Sequence, residues 1–109
     1  MNYTKIPEYR ENYHMLFAKS AIERIKSNET KKKLEEAKRI YFKSCYDFYL
    51  TTKNDYDDFF KKSLNIGISP LTILECIKKY MIEYLEITEQ EINEELLKFF
   101  NTKTTRKFR

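Results

Sequence analysis

A single glycine, Gly67, serves a chain of 109 residues, and valine is absent altogether. Tight β-hairpins draw on residues that accept positive φ, glycine above all, and strands favour β-branched side chains. With one glycine and no valine, a sandwich or a barrel is improbable. It also lacks the glycine-rich loop that cradles nucleotide phosphates. Hydrophobic residues make up 41% and aromatics 16%, with nine Tyr and eight Phe, so a packed core is within reach. The expected fold is all-α: a small single-domain bundle of about five helices over residues 1–102, followed by a basic C-terminal tail over residues 103–109.

Helical periodicity supports this division. Pro7 suits the first turn of helix one, whose apolar positions are Tyr9, Tyr13, Leu16, Phe17, Ala21, Ile22 and Ile25. Ser27-Asn28 is the only break before helix two, with Asn28 as its cap, and one long bent helix is the alternative. Helix two runs from about Glu29 to Leu50, with a seam of Leu34, Ala37, Tyr41, Cys45 and Phe48 and a Glu35–Arg39 pair outside. Asn54 or Asp55 caps helix three, which buries Tyr56, Phe59, Phe60 and Leu64 and stops at Gly67. Ser69-Pro70 opens helix four, apolar on most sides and expected at the centre of the bundle. Thr88 and Glu91 form a capping box for helix five, with Ile87 and Ile92 as its staple.

Several chemistries have little support. Glu11 and His14 have a Glu-x-x-His spacing, but di-iron bundles need a second copy, and His14 is the sole histidine. Asp55, Asp57 and Asp58 begin like a calcium loop, yet Phe59 and Phe60 follow where oxygen ligands belong. Cys45 and Cys76 read as small buried hydrophobes in a reducing, cytoplasmic setting. A pairing of either with His14 is not favoured by any sequence feature. The first residues hold no apolar stretch of signal-peptide length, and no run spans a bilayer. The expectation is an intracellular protein without membrane contact, cofactor, metal or enzymatic activity.

Charge is segregated along the chain. Residues 1–53 hold 12 basic and 7 acidic side chains, residues 54–102 hold 5 and 10, and the last seven add four basic ones. The basic half offers Lys31, Lys32, Lys33, Lys38, Arg39 and Lys43, and the tail Arg106, Lys107 and Arg109, as candidates for contacting a phosphate backbone. Tyr41, Phe42, Tyr46 and Tyr49 broaden the apolar surface of helix two beyond one stripe, which suggests a protein partner or a homodimer interface. Glu89, Glu91, Glu94 and Glu95 offer an acidic face to a basic partner.

The segment 63–73 resembles the turn and recognition-helix start of helix-turn-helix regulators: Ser63, Gly67, Ile68, Ser69, Thr72 and Ile73 fill the small, turn, aliphatic, cap and Thr-aliphatic places. The resemblance implies that residues near Pro70, Leu71, Leu74, Glu75 and Lys78 face a major groove. Base contacts want Arg, Lys, Asn, Gln or Ser there, so the segment departs from the pattern where reading would occur. The favoured function is a non-enzymatic regulator or inhibitor docking on a larger protein or nucleoprotein assembly. Heavy use of Ile, Lys, Asn and Tyr suits an A/T-rich genome, and with it a phage or mobile-element accessory such as an anti-defence inhibitor. The alternative is a nucleic-acid binder using the Lys-rich face and tail.

Overall fold

The computed structural model describes residues 3–23 and 28–102. Among them lie five α-helices and no strand: α1 (Ile6–Ile22), α2 (Asn28–Thr51), α3 (Tyr56–Asn65), α4 (Pro70–Glu83) and α5 (Glu89–Phe100). The small all-α bundle expected from the sequence is the fold observed. A 3₁₀ turn, Tyr3–Lys5, leads into α1. α1 and α2 are separate helices, because Glu23 turns extended (φ −67°, ψ 132°) directly after Ile22. Asn28 is itself helical, within α2, and so is not its cap.

α2 is the spine. Its buried residues are Ala37, Tyr41, Phe42, Cys45, Phe48 and Tyr49, all in its C-terminal two-thirds. α1 lies antiparallel along one side: Tyr13 meets the rings of Tyr41 and Phe42 at 5.9 and 6.0 Å, and Tyr3 stacks on Phe48 at 5.2 Å. α4 lies along another side, burying Ile73, Leu74, Cys76, Ile77 and Met81. Phe48 also stacks on Phe59 of α3 at 5.0 Å, and Phe59 meets Phe99 of α5 edge-on at 5.2 Å. Edge-on and stacked pairs of this kind add to the gain from burying the ring area itself.

The caps follow local chemistry. Asp55 accepts from the Asp58 N–H at 3.3 Å, Ser69 from Leu71 N–H at 3.2 Å with Pro70 in the first turn, and Thr88 from Glu91 N–H at 3.2 Å. Glu91 returns the favour by accepting from the Thr88 N–H at 3.3 Å, which completes the capping box. At the end of α3 the Ile68 N–H donates to the Ser63 carbonyl and the Gly67 N–H to that of Leu64, with Gly67 at φ +77°. This is a Schellman closure, and its left-handed position is where the lone glycine sits. Glu86 takes the same left-handed region (φ 55°) after α4 without being glycine.

Other expectations are corrected. Tyr41, Phe42 and Tyr49 are buried in the core and Tyr46 is half-buried against Tyr80 at 5.1 Å. The breadth of apolar surface on α2 is taken up within the chain by α1, α4 and, at Tyr49, α5, so Tyr41, Phe42 and Tyr49 are not exposed for a partner. α1 is covered by α2 alone along most of its length, so Phe17, Ala21 and Ile22 are exposed while Ile6 and Ser20 are buried. Ile25 lies outside the described residues. In α3 Phe59 and Ser63 are buried, whereas Phe60 and Leu64 face solvent. Arg39 pairs with Glu36 at 2.7 Å and not with Glu35, which lies 3.2 Å from Lys38.

A Cβ added at Gly67 meets nothing within 4 Å, so Gly67→Ala isolates the backbone effect and is expected to cost about 1 kcal/mol in urea unfolding. Glu86→Gly relieves the same strain from the other direction and should raise stability by up to about 1 kcal/mol. Phe48→Ala, at the junction of three rings, is expected to cost about 3–5 kcal/mol.

Candidate docking surface and the charged faces

The basic face on α2 is largely neutralised where it stands. Lys33 pairs with Glu29 at 3.5 Å, Arg39 with Glu36, and Lys43 with Asp47 at 2.9 Å. Lys38 reaches Glu35 at 3.2 Å and crosses to Glu83 of α4 at 3.0 Å. Burial alone would pull the Lys38 ammonium down, but the two carboxylates hold it above its ordinary value. The Asp47 hydrogen bond raises Lys43, and the Arg39 hydrogen bond lowers Glu36. Lys31 and Lys32 are exposed, and no ion pair involves them among the described residues. Arg106, Lys107 and Arg109 lie outside the described residues.

The acidic residues of α5 divide into two groups. Glu91 is spent partly on the capping box. Glu95 accepts from the Tyr49 hydroxyl at 2.7 Å and lies 3.6 Å from Lys53. Burial, and then Glu95, push the Tyr49 phenol upward, so the hydroxyl stays a donor. Glu89 and Glu94 are exposed on the outer side of the helix. Glu91, Glu94 and Glu95 line one cleft of about 410 Å³ beside Tyr49, Lys53 and Lys98.

The helix-turn-helix-like segment folds as α3, a four-residue turn and α4, held by buried Ser63, Ile68 and Ile73. The face that would read DNA is turned toward α5. Leu71, Leu74, Glu75 and Lys78 of α4 instead form one wall of a groove of about 320 Å³, and Asn93, Leu96, Leu97 and Phe100 of α5 form the other. Leu74 and Leu96 are its buried floor. Leu71, Leu97 and Phe100 stand at its rim with 73%, 62% and 40% of their surface exposed. The apolar strip continues from Phe100 through the Tyr56 ring (5.3 Å) to Phe60 (6.3 Å from Tyr56) on α3. Glu89, Asn93 and Glu94 line the adjoining surface with Leu97, so the strip is edged by acid.

Of the rim residues, sequence reasoning places Leu71 on the face of the helix-turn-helix resemblance and runs helix five through Leu97 and Phe100 without assigning them a surface role. A signal was present: the doublets Leu96-Leu97 and Phe99-Phe100. Adjacent helical residues point about 100° apart, so doublets make a stripe wider than one neighbour covers. Leu96 and Phe99 are buried, and their companions are left outside.

Other candidate chemistry is dispersed. His14 is exposed, its ring 5.8 Å from Tyr13 and 6.4 Å from Tyr41. Asp55 serves as a cap and Asp58 pairs with Lys62 at 3.0 Å. Among the described residues no three His, Cys, Asp or Glu side chains cluster as metal ligands, and no helix is long and apolar enough to cross a membrane. No family model matches the chain, and neither a curated protein nor a solved structure matches it significantly.

Tyr49→Phe keeps the ring and removes only the hydroxyl that donates to Glu95. It is expected to cost about 1 kcal/mol in thermal or urea unfolding, with no change of fold by circular dichroism.

Proposed function

We propose that this protein is a small non-enzymatic binding protein, a regulator or inhibitor that docks on a larger protein assembly through the α4–α5 groove. The observation that carries the reading is the exposure of Leu71, Leu97 and Phe100 together around an apolar floor. Clustered apolar side chains of this size, rimmed by polar ones, are the mark of an interaction surface more than of ordinary exposure. The acidic margin at Glu89 and Glu94 selects a partner segment with basic flanks. An amphipathic helix carrying Leu-type anchors at one-turn spacing suits both requirements. The composition extends the reading to an accessory protein of a phage or mobile element acting against a nucleic-acid-targeting defence complex.

The ion pairing of Lys33, Lys38, Arg39 and Lys43 within α2 and α4 weighs against the nucleic-acid alternative, since each such pair must be given up before a phosphate is bound. The two readings separate on two variants. Leu71→Asp with Leu97→Asp, both at exposed positions, should leave the fold intact and abolish stoichiometric co-purification of a protein partner from the source cell. Lys31→Glu with Lys32→Glu should leave that co-purification unchanged. Retention of DNA or RNA in a low-salt gel shift, lost in the lysine variant and kept in the leucine variant, would overturn the proposal in favour of nucleic-acid binding.

A further inference from the structure

One face of α1 shares no residue with the α4–α5 groove. At steps of three and four along it stand Glu8, Glu11, Met15, Lys19 and Ile22, all exposed. Tyr13, which packs on Tyr41 and Phe42, lies on the opposite side of the helix. Met15 keeps 64% of its surface exposed and Ile22 81%. From Tyr13 to Glu36, Ser20 is the single buried side chain among the described residues. This end of the α1–α2 hairpin is an arm of two helices without a core of its own.

Where α1 meets α2 on this side, two adjoining clefts of about 390 and 460 Å³ share Asn12, Ala37 and Ile40. Ala37 is their buried floor, and Ile40 is half-buried. Charge is divided between the two ends. Glu8 and Glu11 line the first cleft with Met15, and Lys32 and Lys33 line the second with Leu16. Lys19 follows Met15 by one turn, on the basic side. Glu8 lies 3.6 Å from Lys5, Lys33 3.5 Å from Glu29, and Glu36 2.7 Å from Arg39. Among the described residues no ion pair involves Glu11, Lys19 or Lys32. Acid, apolar centre and base thus succeed one another along a single face. Such a surface is complementary to itself turned end for end.

We propose that a second copy of this chain covers the face, with α1 packed antiparallel on the partner's α1 across a two-fold axis at Met15. An isologous interface needs a patch that matches itself under half a turn, and the order of charge decides the match. Glu11 stands four residues before Met15 and Lys19 four after it, so the axis sets each Glu11 against the partner's Lys19. The same half-turn brings the acidic end at Glu8 to the basic end at the partner's Lys32. Met15 meets its own copy at the centre, where an unbranched thioether adapts to an irregular gap. The two arms then make a four-helix bundle, in which each hairpin supplies the layer that the other lacks. A parallel pairing sets acid on acid and base on base, which costs affinity. A foreign helix would need this same alternation of charge, and the chain's own α1 already has it.

The test is sedimentation of the whole chain at low salt, with circular dichroism as the check of fold. The unaltered protein should pass from the mass of one chain to that of two as its concentration rises through roughly 1–200 µM. Met15→Asp, at an exposed position, should hold it at one chain. Glu11→Lys and Lys19→Glu should each weaken association about tenfold or more, because each change is felt twice across the axis. Mixed in equal amounts, these two variants should associate with each other, and the double variant should associate with itself. Leu71→Asp with Leu97→Asp should associate like the unaltered protein. The mass of one chain at every concentration would overturn the proposal, as would association that survives Met15→Asp or is lost in the leucine variant. Helical charge variants that stay apart when mixed would overturn it equally. Where Met15→Asp fails to fold, the mixing experiment decides.

Discussion

Phe48 is where the molecule is joined. Its ring is stacked on Tyr3 from the first turn and on Phe59 from α3, and through Phe59 it is connected to Phe99 on α5. α2 supplies Phe48 and Tyr49 as neighbours in sequence, and Tyr49 meets Phe99 edge-on at 4.9 Å while its hydroxyl donates to Glu95. A single helical turn of α2 therefore contacts the beginning of the described chain, its middle and its end. Van der Waals contact and apolar burial at this point join the first turn, α3 and α5 to the spine. The caps and ion pairs refine that arrangement without creating it.

What was legible in the sequence was whatever the chain decides locally. Asp55, Ser69, Thr88 with Glu91, and Gly67 each act within four residues of themselves, and the structure places each where local chemistry calls for it. The seam of α2 was equally readable, because a period of three to four survives any choice of neighbour. Illegible was how many neighbours a helix has. The aromatics of α2 suggested an unoccupied surface, yet α1, α4 and α5 pack against them. Phe17 and Ile22 suggested a buried face, yet only α2 lies against α1 there. Composition states the width of an apolar stripe, whereas topology decides which part of it stays wet.

The same limit applies to the candidate sites. Glu89 and Glu94 were recognisable as solvent-facing acid, and Lys31 and Lys32 as solvent-facing base, from their positions alone. The contact of Lys38 with Glu83 joins helices 45 residues apart and could not be read from spacing. Nor could the position of α5 beside the face that the helix-turn-helix resemblance assigns to a major groove. The groove is in this sense a by-product of the corner at Gly67: the turn brings α4 round, and α5 then packs beside it and leaves half of each apolar doublet uncovered.

Thr102 closes the described chain onto itself. Its hydroxyl donates to the Phe99 carbonyl at 2.6 Å, and both that hydroxyl oxygen and its own carbonyl accept from the Tyr56 N–H. The clasp spans 46 residues, as does the Tyr49–Glu95 bond beside it. Helical bundles usually assemble from contacts close in sequence, and α1 with α2 can zip in that way. The α3–α5 unit cannot, since its ring of chain must pay the loop-closure entropy before the clasp returns anything. Closing that ring of 46 residues carries an entropic cost that winding each helix does not.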